Sequence, residues 1–203
     1  YPLGGGQHWD TGVLSGPNGD INVQEVRGRG DVQHTVETEH QLVVGDEVRG
    51  TVDWDTRYAH MRMHTAQHLM SGIAYELFNG VRTVGNQIHA EKSRIDFNPI
   101  SFDEAMMERL VDVVNGHINT GLKVSDSVMT REEINTIMPP DRTNMNLLPA
   151  SVRDLRVVQI GDQVDLCPCA GTHVSNTSEL GRVELIGKTV SYTHLRAHET
   201  DSY

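Results

Sequence analysis

The stretch YAHMRMHTAQHLMSGIAYELF, residues 58–78, is where the periodicity of the chain changes. Met61, His64, Thr65, His68, Leu69, Gly72, Ile73 and Leu77 recur near one stripe of a helix. Asn79-Gly80 supplies the stop, because both residues tolerate the left-handed backbone that ends helices. Upstream the pattern is different. Residues 1–55 are rich in Gly and Val and carry the runs INVQEV, VQHTVE and EVRGTVDW, separated by GPNGD, GRGD and VGD. Short strands between Gly/Asp turns predict a small N-terminal β-barrel or meander. YPLGGGQ has no strand before it, so the barrel is expected to be partial.

Downstream, VRTVGNQIHA and KSRIDFNP predict a strand pair. SFDEAMMERLVDVVNGHIN predicts a second helix opened by a Ser101–Glu104 capping box. KVSDSVMT reads as a strand, and TREEINTIM as a short helix with a Thr130–Glu133 box, stopped by Pro139-Pro140. LRVVQI is another strand, CPCAGTH follows it, and RVELIG is expected to be the last strand. Strands mixed with helices, without regular βαβ alternation, give the class α+β.

With 203 residues the chain has room for one large domain or two small ones. No apolar run approaches the roughly 18 residues of a membrane span. The two cysteines, Cys167 and Cys169, are too close together to staple a fold. A reduced, cytoplasmic compartment and metal or redox chemistry are therefore expected. The net charge of −11 argues against broad non-specific binding to nucleic acid, DNA included, and leaves room for a small RNA contact. VSYTHLRAHET, from Val190 to Thr200, breaks the preceding pattern and resembles a translated sequencing-library adapter. Residues 190–203 are accordingly read as a non-native tail, and His194 and His198 are kept out of any site. Without that tail, 16 basic residues face 26 acidic ones, so the chain stays acidic.

The chemistry lies in two short motifs. At i and i+4 on a helix, His64 and His68 project the same way one turn apart, within reach of one ion. Cys169 and His173, four apart across Gly171, form a second pair. Either pair alone is usually coincidence, and it is their joint presence in a chain with two cysteines that points to a shared metal. His, His, Cys, His is a borderline-soft set suited to Zn2+. A metalloprotease needs Glu after the first His, where Thr65 stands, so that reading falls. His89-Ala90-Glu91 and Pro168-Cys169 imitate the zinc deaminase signature, but Thr172 occupies the place of its second Cys. Four protein ligands fit a closed structural site, and a catalytic site would need an opened position.

HTAQH (64–68) with CAGTH (169–173) resembles the paired motifs of the editing domains of alanyl- and threonyl-tRNA synthetases. YPLGGGQHWDTG, VDWDTRYAHMRMHTAQHL, GNQIHAEKSRIDF and CPCAGTHVSNTSELG, in that order, resemble the free-standing alanyl-tRNA editing proteins of the AlaX type. The resemblance spans almost all of residues 1–188. It implies a partial N-terminal β-barrel over 1–55 with a Gly-rich loop, then an α+β zinc-binding editing domain over 56–189. It also implies zinc on His64, His68, Cys169 and His173, and hydrolysis of the ester joining serine, or glycine, to tRNA(Ala) in trans. Leu3 and His8 depart from the pattern in the loop.

An aminoacyl ester is already activated, so the task is to position water and to reject the correct product. A site that hydrogen-bonds the serine hydroxyl rejects alanine, because its polar groups would otherwise stay unpaired. Thr83 and Gln87 are the candidates, with Thr65 between the ligands as a third; ordinary strand polarity and local packing are the bland readings. Gly4, Gly5, Gly6 and Gln7 lack a phosphate-loop Lys-Ser/Thr, and their backbone could approach the tRNA acceptor end, or simply form a turn. Lys92 and Arg94 are candidate phosphate contacts, against the common case of solvated surface cations. Two rivals stay open: the same domain acting in cis within a full alanyl-tRNA synthetase, and a non-catalytic tRNA-binding module with structural zinc.

Overall fold

The computed structural model describes residues 1–28, 30–36, 39–139, 142, 145 and 151–187, so the tail read as adapter-derived lies outside the described residues. Its first part is a four-stranded antiparallel sheet: β1 (Gly12–Gly16), β2 (Gly19–Arg27), β3 (Gln33–Val36) and β4 (Arg49–Val52), in the order β3-β2-β1-β4. Among the described residues this sheet is open and does not close into a barrel. Ile21, Val23 and Val26 on β2 are its buried residues, the first two alternating as a half-buried strand requires.

Helix α1 runs from Trp54 to Leu77, starting well before Met61, the first residue of its apolar stripe. The reason is its cap. Asp53 accepts a hydrogen bond from the Thr56 backbone N–H, and its own N–H donates to Thr11 O at 2.9 Å. The last residues of EVRGTVDW thus leave the sheet and enter the helix. Asn79 and Gly80 take positive φ, 54° and 84°, at the expected stop.

Strands β5 (Arg82–Ile88) and β6 (Ser93–Asn98) pair as expected. Helix α2 (Glu104–Thr120) follows, but the Ser101–Glu104 box does not form. Asp103 is the N-cap instead, with its carboxylate accepting from Met106 N–H at 2.8 Å. A carboxylate one residue before the helix satisfies the orphan donor better than a hydroxyl three residues away. Helix α3 (Arg131–Ile137) does carry the Thr130–Glu133 box. A three-stranded antiparallel sheet, β7-β8-β9, is built from Val124–Thr130, Asp154–Ile160 and Asp165–Pro168. RVELIG is not a strand: Val183 is held instead by reciprocal hydrogen bonds with the Asn115 side chain. A 3₁₀ turn, Thr177–Leu180, precedes it.

β8 shows how the core is organised. Val158 and Ile160 join Leu69, Met70, Ile73 and Ala74 of α1 and Leu110, Val114 and Ile118 of α2 in one cluster. Leu155 and Val157 join Ile134 and Met138, at α3 and its end, in another. Alternate residues of one strand therefore serve two cores, which is why LRVVQI reads as nearly continuous apolar sequence. α1 comes close enough to the start of β9 that a Cβ on Gly72 would lie 2.2 Å from Val164 O. That approach sets the helix histidines against β9.

Candidate metal centre

Two elements carry the four expected ligands. His64 and His68 lie on the buried face of α1, and Cys169 and His173 on the loop after β9. The fold brings all four together, with one ligand atom from each lying within 4.8 Å of the others. Cys169 Sγ is 3.5 Å from His64 Nε2 and 3.4 Å from His173 Nε2. Bonds of about 2.3 Å to sulfur and about 2.0–2.1 Å to nitrogen give a tetrahedron a sulfur–nitrogen edge of about 3.5 Å. These two sulfur–nitrogen spacings fit such an ion.

Each imidazole is also aimed. His64 Nδ1 bonds to Gln7 Oε1 at 2.7 Å, His68 Nδ1 to Asp165 Oδ2 at 2.8 Å, and His173 Nδ1 lies 3.1 Å from Thr65 Oγ1. All three Nδ1 atoms therefore face protein partners, leaving each Nε2 for a ligand. The His64 tautomer follows from the bonding of Gln7. Thr172 N–H can only donate, and it meets Gln7 Oε1 at 3.0 Å. The atom facing His64 is thus the amide oxygen, so His64 Nδ1 must carry the proton. Gln7 Nε2 donates in turn to Thr172 Oγ1 at 2.8 Å. Thr65 Oγ1 donates to Met61 O and accepts from Val174 N–H, so its hydroxyl also ties α1 to the CAGTH loop. Partners of this kind fix ring orientation and raise ligand basicity.

Burial raises the Cys169 thiol, but the imidazoles of His173, His64 and His68 around it, with His68 carrying a positive charge, overcome it and bring the pKa down to about 2. Burial lowers His64, and lowers His173 to about 3. Burial lowers His68 too, yet its bonds to Asp165 and Cys169 win and lift it to about 10. At neutral pH the centre therefore offers a thiolate and two neutral imidazoles, with one proton left on His68 for an ion to displace. Burial pushes the neighbouring Cys167 thiol well up, which keeps it protonated. In metal-free protein at pH 7, iodoacetamide is expected to label Cys169 and not Cys167. Because the Cys169 pKa lies far below the range, its rate should stay flat between about pH 5 and 8, where an ordinary thiol of pKa about 8.5 would slow tenfold per unit of acidification. Peptide mapping checks this, and Zn2+ should block the reaction.

Two glycines are fixed by contact. A Cβ on Gly171 would fall 2.1 Å from His64 Cε1 and 2.4 Å from its Nδ1, so the loop can cross the ring only at glycine. Gly5 and Gly6, at φ 60° and 83°, close a tight turn in which Gly4 and Gln7 exchange backbone bonds of 3.2 and 3.0 Å. That turn docks on β5 through Ile88 N–H to Gly6 O at 2.8 Å. Its effect is to deliver the Gln7 side chain, which is wholly buried, to His64. Gln7 thus faces inward, unlike an exposed RNA contact. Gln7→Leu is expected to weaken metal binding by about 10–100-fold, read by competition with a chromophoric chelator.

The other predicted residues lie further out. Thr83 Oγ1 is 2.6 Å from Ser71 Oγ, which accepts from Gln67 Nε2, so Thr83 is tied to α1 beside His68. Gln87 is exposed on β5, and Lys92 is exposed just before β6. Arg94 is exposed and pairs with Asp96. Sequence reasoning missed Asp165, Arg142 and Arg156. Asp165 is buried and meets Arg142 as well as His68. Arg156 donates to Cys169 O and Gly171 O at 2.8 and 3.0 Å, pinning the ligand loop. The deaminase alternative dissolves, because His89 packs against His8, whereas Cys169 is held by His64 and His173.

Comparison with known proteins agrees with this geometry. A family described as the threonyl and alanyl tRNA synthetase second additional domain matches residues 155–198, which include Cys169 and His173. The alanyl-tRNA editing protein AlaX-M of Methanosarcina barkeri is 34% identical over 192 residues, covering 92% of this chain and 78% of that protein. AlaX-M of Saccharolobus solfataricus is 35% identical over 190 residues, with coverage of 92% and 78%. The chain belongs to the AlaX family of alanyl-tRNA editing proteins. It is also similar to the alanine–tRNA ligase of Pyrococcus abyssi, 34% identical over 195 residues, but this is only 20% of that enzyme. Membership in the AlaX family places the four-ligand centre in a group of editing proteins, and among the described residues no helix is long and apolar enough to cross a membrane.

Proposed function

We propose that this chain is an aminoacyl-tRNA deacylase that hydrolyses seryl-tRNA(Ala), and glycyl-tRNA(Ala), in trans, with Zn2+ on His64, His68, Cys169 and His173. The observation that carries the reading is the four-ligand cluster with every Nδ1 partnered, in a chain similar to alanyl-tRNA editing proteins. Bound zinc supplies a Lewis acid that polarises an ester oxygen or lowers the pKa of a water. The protein's own residues do the positioning. Gln7 and Asp165 hold His64 and His68 from behind, and Arg156 holds the loop that bears Cys169 and His173. The latter two are only half-buried, so the substrate approaches from the loop side.

Thr83 supplies the selectivity for serine, with Gln87 further along β5, and Thr65 contributes by orienting His173. The Gly4–Gly6 turn presents backbone to the acceptor end, and Lys92 and Arg94 meet phosphate. This small basic footprint suits the overall acidity of the chain. Residues 1–55 supply the Gly-rich turn, and residues 56–189 form the tRNA editing domain, in a cytoplasmic setting. The test compares hydrolysis of seryl-tRNA(Ala) and alanyl-tRNA(Ala). The wild type should prefer the seryl ester, and Thr83→Val should cut that preference by about tenfold or more with metal content unchanged. Binding of seryl-tRNA(Ala) without any hydrolysis would instead establish the non-catalytic module.

A further inference from the structure

The molecule contains a second group of histidines that the metal centre does not use. His8 follows Gln7, His60 lies one turn before His64 on α1, and His89 follows Ile88 at the end of β5. The same three elements that hold His64 thus continue one level along the helix, by about 6 Å of axial rise. Gln7 faces His64 in the first level, and His8 approaches His60 in the second. The His8 and His89 rings are 4.2 Å apart between centroids, and those of His8 and His60 are 6.3 Å apart. In the four-ligand centre the corresponding distances are 4.3, 4.7 and 5.2 Å. His8 stands in ring contact with both His89 and His60, the second pair about 1 Å wider than the widest histidine pair of the first centre, so His8 is the residue that links the other two.

His60 makes the group more than a stack of rings. It is only 4% exposed, and its Nδ1 has no hydrogen-bond partner. A buried polar nitrogen without a partner is costly and calls for a ligand. The nearby carboxylate of Asp10 is taken by Arg57. Burial also lowers the pKa of His60 and of His8, which keeps both lone pairs free at neutral pH.

We propose that His8, His60 and His89 form a second binding site for a borderline transition-metal dication such as Zn2+, one helical turn along α1 from the first. Three imidazole nitrogens would leave a fourth position for water. Lacking a thiolate, this site binds more weakly than the first.

The test is a titration of the full chain with Zn2+ against a chromophoric chelator, repeated with Co2+ by visible absorption. The expected result is two ions per chain, the second Co2+ adding no thiolate charge-transfer band. His8→Gln and His89→Gln should each weaken the second site at least about tenfold and leave the first unchanged. Both positions are less buried than His60, so the fold should survive, and the intact first site reports that it has. One ion per chain in the wild type would overturn the proposal. So would a second ion retained in the double variant, since it would then lie elsewhere, the tail residues His194 and His198 included.

Discussion

Cys169→Ala is expected to release the metal and to slow deacylation of seryl-tRNA(Ala) by more than about 100-fold, because even changes to residues behind the ligands cost about 10–100-fold. The sulfur lies 3.5 and 3.4 Å from two imidazole nitrogens, so its loss leaves His64, His68 and His173 around an empty corner. It also removes the charge that, with Asp165, keeps His68 protonated. Zinc content after dialysis and the rate of ester hydrolysis are the two readouts. A variant whose tighter zinc site kept its wild-type affinity would remove Cys169 from the ligand set.

Gly171→Ala is the second large effect, and it acts without replacing a ligand. A methyl group there would sit 2.1 Å from His64 Cε1, far inside any van der Waals contact. Either the loop lifts, moving Cys169 and His173, or His64 turns and breaks its bond to Gln7. Both outcomes pull the four candidate ligands apart. Metal affinity should fall by at least about tenfold. Overpacking should cost about 1–3 kcal/mol, seen as a lower Tm. Gly116→Ala is the contrast. That glycine lies within α2 with nothing within 4 Å of the new methyl, so the variant should gain about 0.5–1 kcal/mol.

These two cases show which parts of the centre were legible in the sequence. His64 and His68 could be paired because a helix places i and i+4 on one face, a local rule that needs no knowledge of the fold. The Cys169–His173 spacing was equally local. That the two pairs meet is a tertiary fact. It is fixed by Leu69 and Ile73 packing under β8, and by Gly72 admitting the backbone before β9. The residues behind the histidines carried weaker signals. Asp165 lies 97 positions from His68, and Gln7 lies 57 from His64. Gly5-Gly6 announced a turn, but only the docking of that turn on Ile88 reveals that Gln7 points inward.

The fold divides in the same way. The helix stripe, the Thr130–Glu133 box and the strand pair over 82–98 follow from local pattern and were readable. The start of α1 was missed because Asp53 caps it from within a strand-like run. RVELIG was misread because the Val183 backbone bonds to the Asn115 side chain on α2 instead of to a neighbouring strand. Competing caps, and side chains that replace a ladder, are choices made by tertiary context.

If the His64–His68–Cys169–His173 centre drives ester hydrolysis on mischarged tRNA(Ala), activity must follow the metal. The most direct measurement is single-turnover deacylation of seryl-tRNA(Ala) by protein stripped of metal and then restored with one equivalent of Zn2+. Negligible hydrolysis is expected in the stripped protein, with full recovery at one zinc per chain. Unchanged hydrolysis after stripping, with circular dichroism confirming the fold and zinc content confirmed at zero, would contradict it.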